Sequence, residues 1–93
     1  MYNTIELKNI FKDNTLPKSA DIVLALSNNL ILNKETIIID MEGVSSLSTS
    51  FMNVLFKGLI DRYGLENTKK SFSFKNIRPS EAQRIKSYFD RFL

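Results

Sequence analysis

The sequence predicts a single small α/β domain built on a mostly parallel β-sheet. Short β-like segments alternate with longer helix-like segments in the order β-α-β-α-β-α, and the connections are long enough for crossovers. The chain has 93 residues, 43% of them apolar, which suits one domain with one core. No repeat, low-complexity tract or linker divides the sequence. We therefore expect one domain over residues 1–93.

The first strand and the first helix are predicted from the spacing of their apolar residues. Residues 4–8 (TIELK) alternate polar and apolar side chains, which is typical of a half-buried strand. Residues 12–17 (KDNTLP) are rich in turn formers and predict a loop. A helix follows from Ser19, as its N-cap, to about Leu30. Its apolar residues recur at the spacing of one helical face: Ile22, Val23, Leu26 and Leu30.

The central part of the chain contains the clearest strand and the most apolar helix. Residues 36–40 (TIIID) carry three consecutive β-branched apolar residues, which suits a central strand covered on both faces. A turn over residues 43–50 leads into a helix that ends near Tyr63, with Gly64 where a C-terminal glycine is expected. Two neighbouring stripes form its core face: Phe51, Leu55, Leu59 and Tyr63, and Met52, Phe56 and Ile60.

The last third predicts one more strand and one more helix. Residues 71–75 (SFSFK) alternate again and place Phe72 and Phe74 on one face. Ser80 and Gln83 have the spacing of a capping box that opens the last helix. We expect the core stripe of this helix to consist of Ala82, Ile85, Phe89 and Phe92.

The composition argues against several kinds of function. The chain has no Cys and no His, so it lacks a thiolate zinc site, a cysteine nucleophile and the commonest general base and metal ligand. Asp40 and Glu42 form a carboxylate pair, but two carboxylates alone make a poor cation site. We expect no enzyme, no catalytic residue, no metal and no cofactor. No apolar run approaches the roughly 20 residues of a membrane span, and the N-terminus lacks a signal-peptide pattern, so we expect a cytoplasmic protein that binds no membrane.

The net charge of +3 is unevenly distributed. Residues 1–66 carry six basic against eight acidic residues, whereas residues 67–93 carry seven basic against two acidic residues. The basic third predicts an alternative function, nucleic-acid binding, with Tyr88 stacking beside Arg84 and Arg91 on one helical face. Phe72 and Phe74 are better explained as core, and the charge is small for a nucleic-acid footprint, so this alternative is the less favoured. Its contact residues are Lys69, Lys70, Lys75, Arg78, Arg84 and Arg91.

The turn after the central strand is the predicted functional site. Open α/β sheets bind ligands and partners beyond the carboxyl ends of their strands, and five of the six residues 45–50 carry hydroxyl groups. The helix that starts here offers free N–H groups and a dipole that favours a phosphate. Two interpretations stay open: Ser48 or Thr49 is simply the N-cap, or a phosphorylated Ser48, Thr49 or Ser50 changes what docks there.

The sequence of this turn resembles the signature of the STAS domain, named after sulfate transporters and anti-sigma factor antagonists. The run IIIDMEGVSSLSTSFMNVLF follows the family pattern, in which a strand ending in Asp-x-x-Gly-Val leads to Asp-Ser-Ser-Gly at a helix start. Asp40, Gly43 and Val44 match directly, and Thr49 falls on the phosphorylated Ser of the family. Ser48 stands where the antagonists have Asp.

A Phe in place of the family's Gly distinguishes this turn further. Ser-Thr-Ser-Phe, ending at Phe51, is similar to the turn of a small family of STAS-like bacterial proteins, as is the run FKNI at residues 74–77 followed by a basic helix. The resemblance implies a STAS-like fold and a protein-binding regulatory module like the anti-sigma factor antagonists. Such a module docks through what we call the hydroxyl turn (residues 45–51) and the helix that follows.

The resemblance also implies the kind of partner and the contact residues. In better-known relatives a histidine-kinase-like ATPase phosphorylates the Ser at the position of Thr49 and is released by that phosphorylation. The nucleotide would belong to the partner, since no residue here matches a nucleotide-binding motif. The candidate contact residues are Asp40, Gly43, Ser46, Ser48, Thr49, Ser50, Phe51 and Asn53.

The oligomeric state is left open between a monomer and a weak homodimer. The first strand is predicted to lie at an edge of the sheet, and an exposed edge invites pairing. Phe89, Phe92 and Leu93 place apolar side chains at the end of the sequence. They would form a dimer patch, or more simply the core stripe of the last helix.

Overall fold

The computed structural model describes residues 3–93 and confirms the α/β class and the parallel sheet. The strands β1 (Thr4–Glu6), β2 (Ile37–Asp40) and β3 (Phe72–Lys75) lie in the spatial order β1-β2-β3. Five helices accompany them. The first two are α1 (Leu7–Asp13) and α2 (Leu16–Leu32). The third is continuous over residues 49–63 and is called the turn helix; it consists of α3 (Thr49–Met52), a π-helical segment (Asn53–Lys57) and α4 (Gly58–Tyr63). The last two are α5 (Leu65–Ser71) and α6 (Pro79–Asp90).

The strand order places the helices on one face of the sheet. Two right-handed crossovers that advance in the same direction carry their helices to the same side. In the register of the three strands, Ile5, Ile39 and Phe74 share a row that faces the core, whereas Ile38 and Ser73 point the other way. Ile38 is only half-buried and Ser73 is exposed. The expectation that β2 is covered on both faces is therefore wrong.

The core is centred on the turn helix. The ring of Phe56 is fully buried and contacts aromatic rings from β3 and α6 at centroid distances of 4.8–6.3 Å. These rings belong to Phe72, Phe74, Tyr88 and Phe89. Through Phe56 the turn helix contacts both the sheet and α6. The candidate site lies at the start of this helix and is therefore held on a rigid support.

The beginning of the chain differs from the prediction. The first strand ends at Glu6 instead of residue 8, and the predicted loop at residues 12–17 is mostly helical, because α1 ends at Asp13 and α2 begins at Leu16. Leu7 fits either interpretation, because it is apolar and fully buried. Ile10 and Phe11 follow it at the i+3 and i+4 positions and pack on the core, which is the spacing of a helical face. The alternation was therefore too short to separate strand from helix.

The second helix begins earlier than predicted. Thr15 is the N-cap and accepts a 3.4 Å hydrogen bond from the backbone N–H of Lys18, while Pro17 lies in the first turn. Proline suits this position because the N–H that it lacks has no partner in the first turn. Ser19, the predicted N-cap, is buried inside the helix and donates its hydroxyl hydrogen to the Thr15 carbonyl oxygen. Leu26 lies on the exposed side of the helix.

Between the turn helix and β3 lies a helix that the sequence pattern did not predict. Gly64 ends the turn helix at φ +86°, as expected, and α5 follows directly. Ser71 is the last residue of α5, so β3 starts one residue later than predicted. Thr68 is buried, and Leu65 three residues earlier packs partly buried on the core. Two inward positions in seven residues are too few to show a helical periodicity.

The start of the last helix also differs from the prediction. Its N-cap is Arg78, which makes no side-chain cap hydrogen bond, and Pro79 is the first helical residue. The capping box of Ser80 with Gln83 is therefore wrong, since the helix starts two residues earlier, with Arg78 as N-cap and Pro79 as the first helical residue. Of the predicted core stripe, Ala82 is exposed; the buried residues are Glu81, Ile85, Tyr88 and Phe89.

Candidate functional site

The turn after β2 is tied to the neighbouring strand before it reaches the helix. Met41 donates its backbone N–H to the carbonyl oxygen of Lys75 at 2.8 Å, and Val44 donates to the Met41 carbonyl oxygen at 2.9 Å. Gly43 between them has φ +78°, a conformation that side chains disfavour. Lys8 and Glu42 form an exposed ion pair of 2.9 Å over this turn. The backbone therefore leaves the sheet in a fixed direction.

Asp40 holds the end of β2 through its carboxylate. Its Oδ1 accepts hydrogen bonds from the Asn76 side-chain amide at 2.9 Å and from the Glu42 backbone N–H at 3.0 Å. These two bonds favour the ionised form and lower the pKa of Asp40 below its usual value. Asp40 is buried, so it is a residue that stabilises the turn and not the surface contact that the resemblance implied.

The hydroxyl turn is bound to α6 by a pair of charged side chains. The backbone N–H of Leu47 donates to Oε2 of Glu81 at 2.8 Å, and the carbonyl oxygen of Leu47 accepts from Nη2 of Arg84 at 2.8 Å. Arg84 Nη1 also contacts both carboxylate oxygens of Glu81 at 2.9 Å. The Glu81 side chain is 4% exposed, so both polar groups of Leu47 are satisfied inside the protein. We call this pair the Glu81–Arg84 clamp.

Ser48 is the N-cap of the turn helix. Its hydroxyl oxygen accepts a 3.0 Å hydrogen bond from the backbone N–H of Phe51, and its carbonyl oxygen accepts from Met52. This confirms the cap interpretation for Ser48 and excludes Thr49 as the cap. Thr49 and Ser50 occupy the first two helical positions and are exposed. The first turn of the helix thus presents two hydroxyl side chains to solvent.

The structure separates the predicted contact residues into a surface set and two buried residues. Phe51 is 1% exposed and its ring packs edge-on against Phe11 at a centroid distance of 5.4 Å, so it is a core residue and not a partner contact. A large aromatic side chain at the third helical position points inward because the helix buries this stripe. Asp40 is the other buried member. The exposed set consists of Gly43, Ser46, Ser48, Thr49, Ser50 and Asn53.

Asn53 connects the far end of this surface to α6. Its Oδ1 accepts a 2.7 Å hydrogen bond from the Tyr88 hydroxyl. Tyr88 is 3% exposed, and its burial raises the pKa of its phenol. The helix α6 therefore binds the start of the turn helix at two polar points, Leu47 and Asn53.

A small apolar notch lies beside the exposed hydroxyls. It has a volume of about 110 Å³ and lies between the first turns of α2 and of the turn helix. Leu16 on its rim is a large apolar side chain that is exposed to solvent. The lining consists of Leu16, Pro17, Ala20, Ser50, Phe51 and Val54. The surface around Thr49 is therefore partly apolar.

The basic residues of the last third are distributed over both ends of β3 and over the last helix. Lys69 and Lys70 belong to α5, which precedes the amino end of β3, whereas Lys75 ends the strand and Arg78 follows it. The four-residue strand separates the two pairs by about 13 Å. Arg84 is engaged by the clamp.

The aromatic residue expected to stack on a base is buried. Arg91 lies 5.3 Å from the centre of the Tyr88 ring, but Tyr88 packs into the core. The predicted exposed face of Arg84, Tyr88 and Arg91 is therefore wrong, because the Tyr88 ring belongs to the cluster around Phe56.

A larger cleft lies at the opposite end of the sheet. It has a volume of about 580 Å³ between the end of α2, the start of β2 and α5. Its lining mixes apolar and charged side chains: Ile31, Leu32, Lys34, Glu35, Thr36, Tyr63, Asn67, Lys70 and Ser71. Thr36 lines this cleft and precedes the amino end of β2, whereas the hydroxyl turn follows the carboxyl end of β2. The cleft and the hydroxyl turn therefore lie at opposite ends of the strands.

Among residues 3–93, no three His, Cys, Asp or Glu side chains are grouped so that they would hold a metal ion. The carboxylates of the Asp40 and Glu42 pair are bound by Asn76 and Lys8. In the same described part of the chain, no helix combines the length and apolar character needed to cross a membrane.

Comparison with known proteins gives one family. The family model described as STAS-like domain of unknown function (DUF4325) matches residues 20–82. This range includes α2 from Ala20 onward, all of β2, the hydroxyl turn, the turn helix and β3. No curated protein matches the chain significantly, and no solved structure does.

Proposed function

Since the chain belongs to the family of STAS-like domains of unknown function, we propose that it is a non-enzymatic, protein-binding regulatory module of the anti-sigma factor antagonist type. It docks a protein partner through the exposed residues of the hydroxyl turn and the start of the turn helix. Phosphorylation of Thr49 switches that docking. The partner is a histidine-kinase-like ATPase that supplies the nucleotide.

One observation carries this proposal: Thr49 is exposed at the first position of a helix whose approach is fixed. Leu47, two residues earlier, is held by the Glu81–Arg84 clamp, and Ser48 between them is the N-cap. A side chain at this position can enter a kinase site while the backbone around it keeps its conformation. The helix start also favours the negative charge that phosphorylation adds.

Thr49 is a better acceptor than its neighbours. The hydroxyl oxygen of Ser48 is already bound to the helix backbone, because it accepts from the Phe51 N–H as the cap. Ser50 lines the apolar notch, where a dianion would face apolar side chains. Thr49 has neither conflict. The partner would transfer the γ-phosphoryl group of ATP to Oγ1 of Thr49 and release ADP, while a base of the partner takes the hydroxyl proton.

The apolar notch supplies a reason for the partner to dock here. Leu16 is exposed on its rim beside Ser50, and a buried apolar side chain in the centre of an interface contributes more to affinity than the polar contacts around it. A phosphate on Thr49 would bring about two negative charges to the edge of this contact. The cost of desolvating that charge would weaken docking. This agrees with the better-known relatives, in which phosphorylation releases the partner.

The proposal is tested by affinity capture from a lysate of the source cells, with Thr49→Glu and a matched Thr36→Glu variant. Both variants place the same carboxylate on an exposed threonine, but Thr36 lies at the opposite edge of the sheet. We expect the wild-type protein and T36E to recover the same ATPase-fold partner, and T49E to recover about tenfold less, equivalent to about 1.4 kcal/mol. Intact-mass analysis should find a fraction of bait about 80 Da heavier, with the group on Thr49.

Three results would contradict the proposal in different ways. Equal recovery with T49E would remove the hydroxyl turn from the interface. An unmodified bait with a different protein partner would leave a binding module without a phosphoryl switch. Recovery of nucleic acid in place of a protein would favour the alternative function of the basic third.

A further inference from the structure

We infer that Arg84 is the residue that binds the phosphoryl group on the hydroxyl turn. The inference rests on the proposed function, because it names the residue of this chain that responds to phosphorylation of Thr49. In this arrangement Arg84 bridges the buried carboxylate of Glu81 and the phosphate. Phosphorylation then fastens the hydroxyl turn to α6 more tightly.

The guanidinium group of Arg84 has N–H donors that the clamp does not use. A guanidinium group carries five N–H donors, and the clamp uses Nη1 for Glu81 and Nη2 for the Leu47 carbonyl oxygen. At least two donors remain for another acceptor. The Arg84 side chain is also 44% exposed, whereas its partner Glu81 is 4% exposed. The Arg84 side chain is therefore open to solvent next to the hydroxyl turn, which it contacts through Leu47.

Thr49 lies two residues along the chain from the Leu47 carbonyl group that Arg84 binds. Nη2 of Arg84 lies 2.8 Å from the carbonyl oxygen of Leu47, and consecutive Cα atoms are about 3.8 Å apart, so the Cα of Thr49 is at most about 7.6 Å from that of Leu47. The threonine side chain and the phosphoryl group add several ångströms of reach. The planar fork of arginine matches phosphate oxygens in pairs, and charge-assisted hydrogen bonds of this kind are the strong ones.

The clamp also explains why the arginine is already in position. An exposed arginine loses side-chain entropy when it binds a phosphate. Arg84 has lost most of that freedom in the unmodified protein, because Glu81 and Leu47 fix its guanidinium. Lys86, two residues later on α6, pairs instead with Asp90 at 3.2 Å. Lys86 therefore serves as the matched control.

The test is a 31P NMR titration of the full chain carrying phosphothreonine at position 49, incorporated during translation. The second pKa of the phosphate is compared among the otherwise unchanged protein, Arg84→Gln and Lys86→Gln. Both variants remove one positive charge from α6. We expect the pKa to be lower by about one unit when Arg84 is present than in R84Q, and K86Q to match the parent. The start of the turn helix lowers the phosphate pKa in all three proteins, so the pKa difference between the parent and R84Q reports the effect of Arg84.

Equal pKa values in the parent and in R84Q would overturn the inference. If R84Q does not fold, the Nε–H resonance of Arg84 is followed in the parent chain with and without the phosphate. We expect that resonance to shift on phosphorylation and to follow the titration of the phosphate, and an unchanged resonance would overturn the inference. Neither measurement uses a partner. A failed switch in the capture experiment with a lowered phosphate pKa would therefore reject the proposed function and keep Arg84 as the phosphate ligand.

Discussion

Oε2 of Glu81 accepts a 2.8 Å hydrogen bond from the backbone N–H of Leu47, 34 residues earlier in the chain. The carboxylate is buried in the first turn of α6, and Leu47 precedes the cap of the turn helix. One side chain thus determines where the candidate site lies relative to the last helix. Removal of the Glu81 carboxylate should therefore destabilise the protein more than removal of an ordinary exposed carboxylate from the first turn of a helix.

Glu81→Gln should lower the free energy of unfolding by about 1–3 kcal/mol, because a neutral amide then replaces the buried carboxylate that accepts from Leu47 and pairs with Arg84. The matched control is Glu66→Gln, which removes an exposed carboxylate from the first turn of α5. Both changes remove one carboxylate from the first turn of a helix, so the additional loss in E81Q reports the clamp. Urea unfolding at pH 7 gives both values. Losses of equal size would show that Glu81 acts only through the dipole.

Ser48→Ala should lower the free energy of unfolding by about 1 kcal/mol, since it removes the hydroxyl that accepts from the Phe51 backbone N–H. Ser48→Asp should retain most of the stability, because a carboxylate also caps a helix. Ser50→Ala is the control: Ser50 is exposed at the second helical position and is not the cap. Its change should stay within about 0.5 kcal/mol. A neutral S48A variant would contradict the assignment of the cap.

Those features of the fold that depend on neighbours in sequence were predictable. The run at Ile37–Asp40 predicted the central strand because β-branched residues repeat without interruption. The apolar stripes of the turn helix, its end at Gly64 and a hydroxyl cap at its start were predictable for the same reason. Each is decided within one or two helical turns, so periodicity and cap chemistry suffice.

The contacts that position the site were not predictable in this way. Glu81 lies among polar residues at the start of α6, and no local pattern distinguishes it from an exposed glutamate such as Glu66. Its role depends on Leu47, which only the tertiary fold brings near. For the basic residues, the sequence pattern suggested a relationship that the fold does not contain. Charge alone grouped Arg84 with Lys69, although the fold assigns Arg84 to the clamp and Lys69 to another helix.

Acid unfolding should report the hydrogen bonds of Asp40. Asn76 and the Glu42 backbone N–H lower the folded-state pKa of Asp40. The stability that ionised Asp40 contributes to the folded protein is therefore complete above its unfolded-state pKa of about 4, and it is lost as the pH falls through the lowered folded-state pKa. Asn76→Gly removes the amide and retains the positive φ of +57°. The urea midpoint should therefore fall less between pH 6 and pH 2 in N76G than in the wild-type protein.

The control for this titration is Lys34→Gly. Lys34 has nearly the same backbone conformation, φ +59°, so the change to glycine has the same effect on the backbone of both the folded and the unfolded chain. Lys34 follows the end of α2 and lines the cleft at the opposite edge of the sheet from Asp40. We expect K34G to keep the wild-type difference between pH 6 and pH 2. A pH dependence of N76G equal to that of K34G would show that the Asn76 amide does not act on Asp40.

Substitutions of glycine by alanine should have opposite effects at two positions. Gly43→Ala places a side chain at φ +78°, where its Cβ would also lie 3.2 Å from Cδ of Lys8, so we expect a loss of about 1–2 kcal/mol. Gly58→Ala lies inside the turn helix at φ −58°, and its Cβ would meet Leu24 at an ordinary 3.5 Å. It should stabilise the protein by about 0.5–1 kcal/mol, since alanine favours helix and restricts the unfolded chain. Urea unfolding of both variants measures the two signs. A neutral G43A would mean that the turn relaxes to a negative φ, and the direction in which it presents Thr49 would then not depend on Gly43.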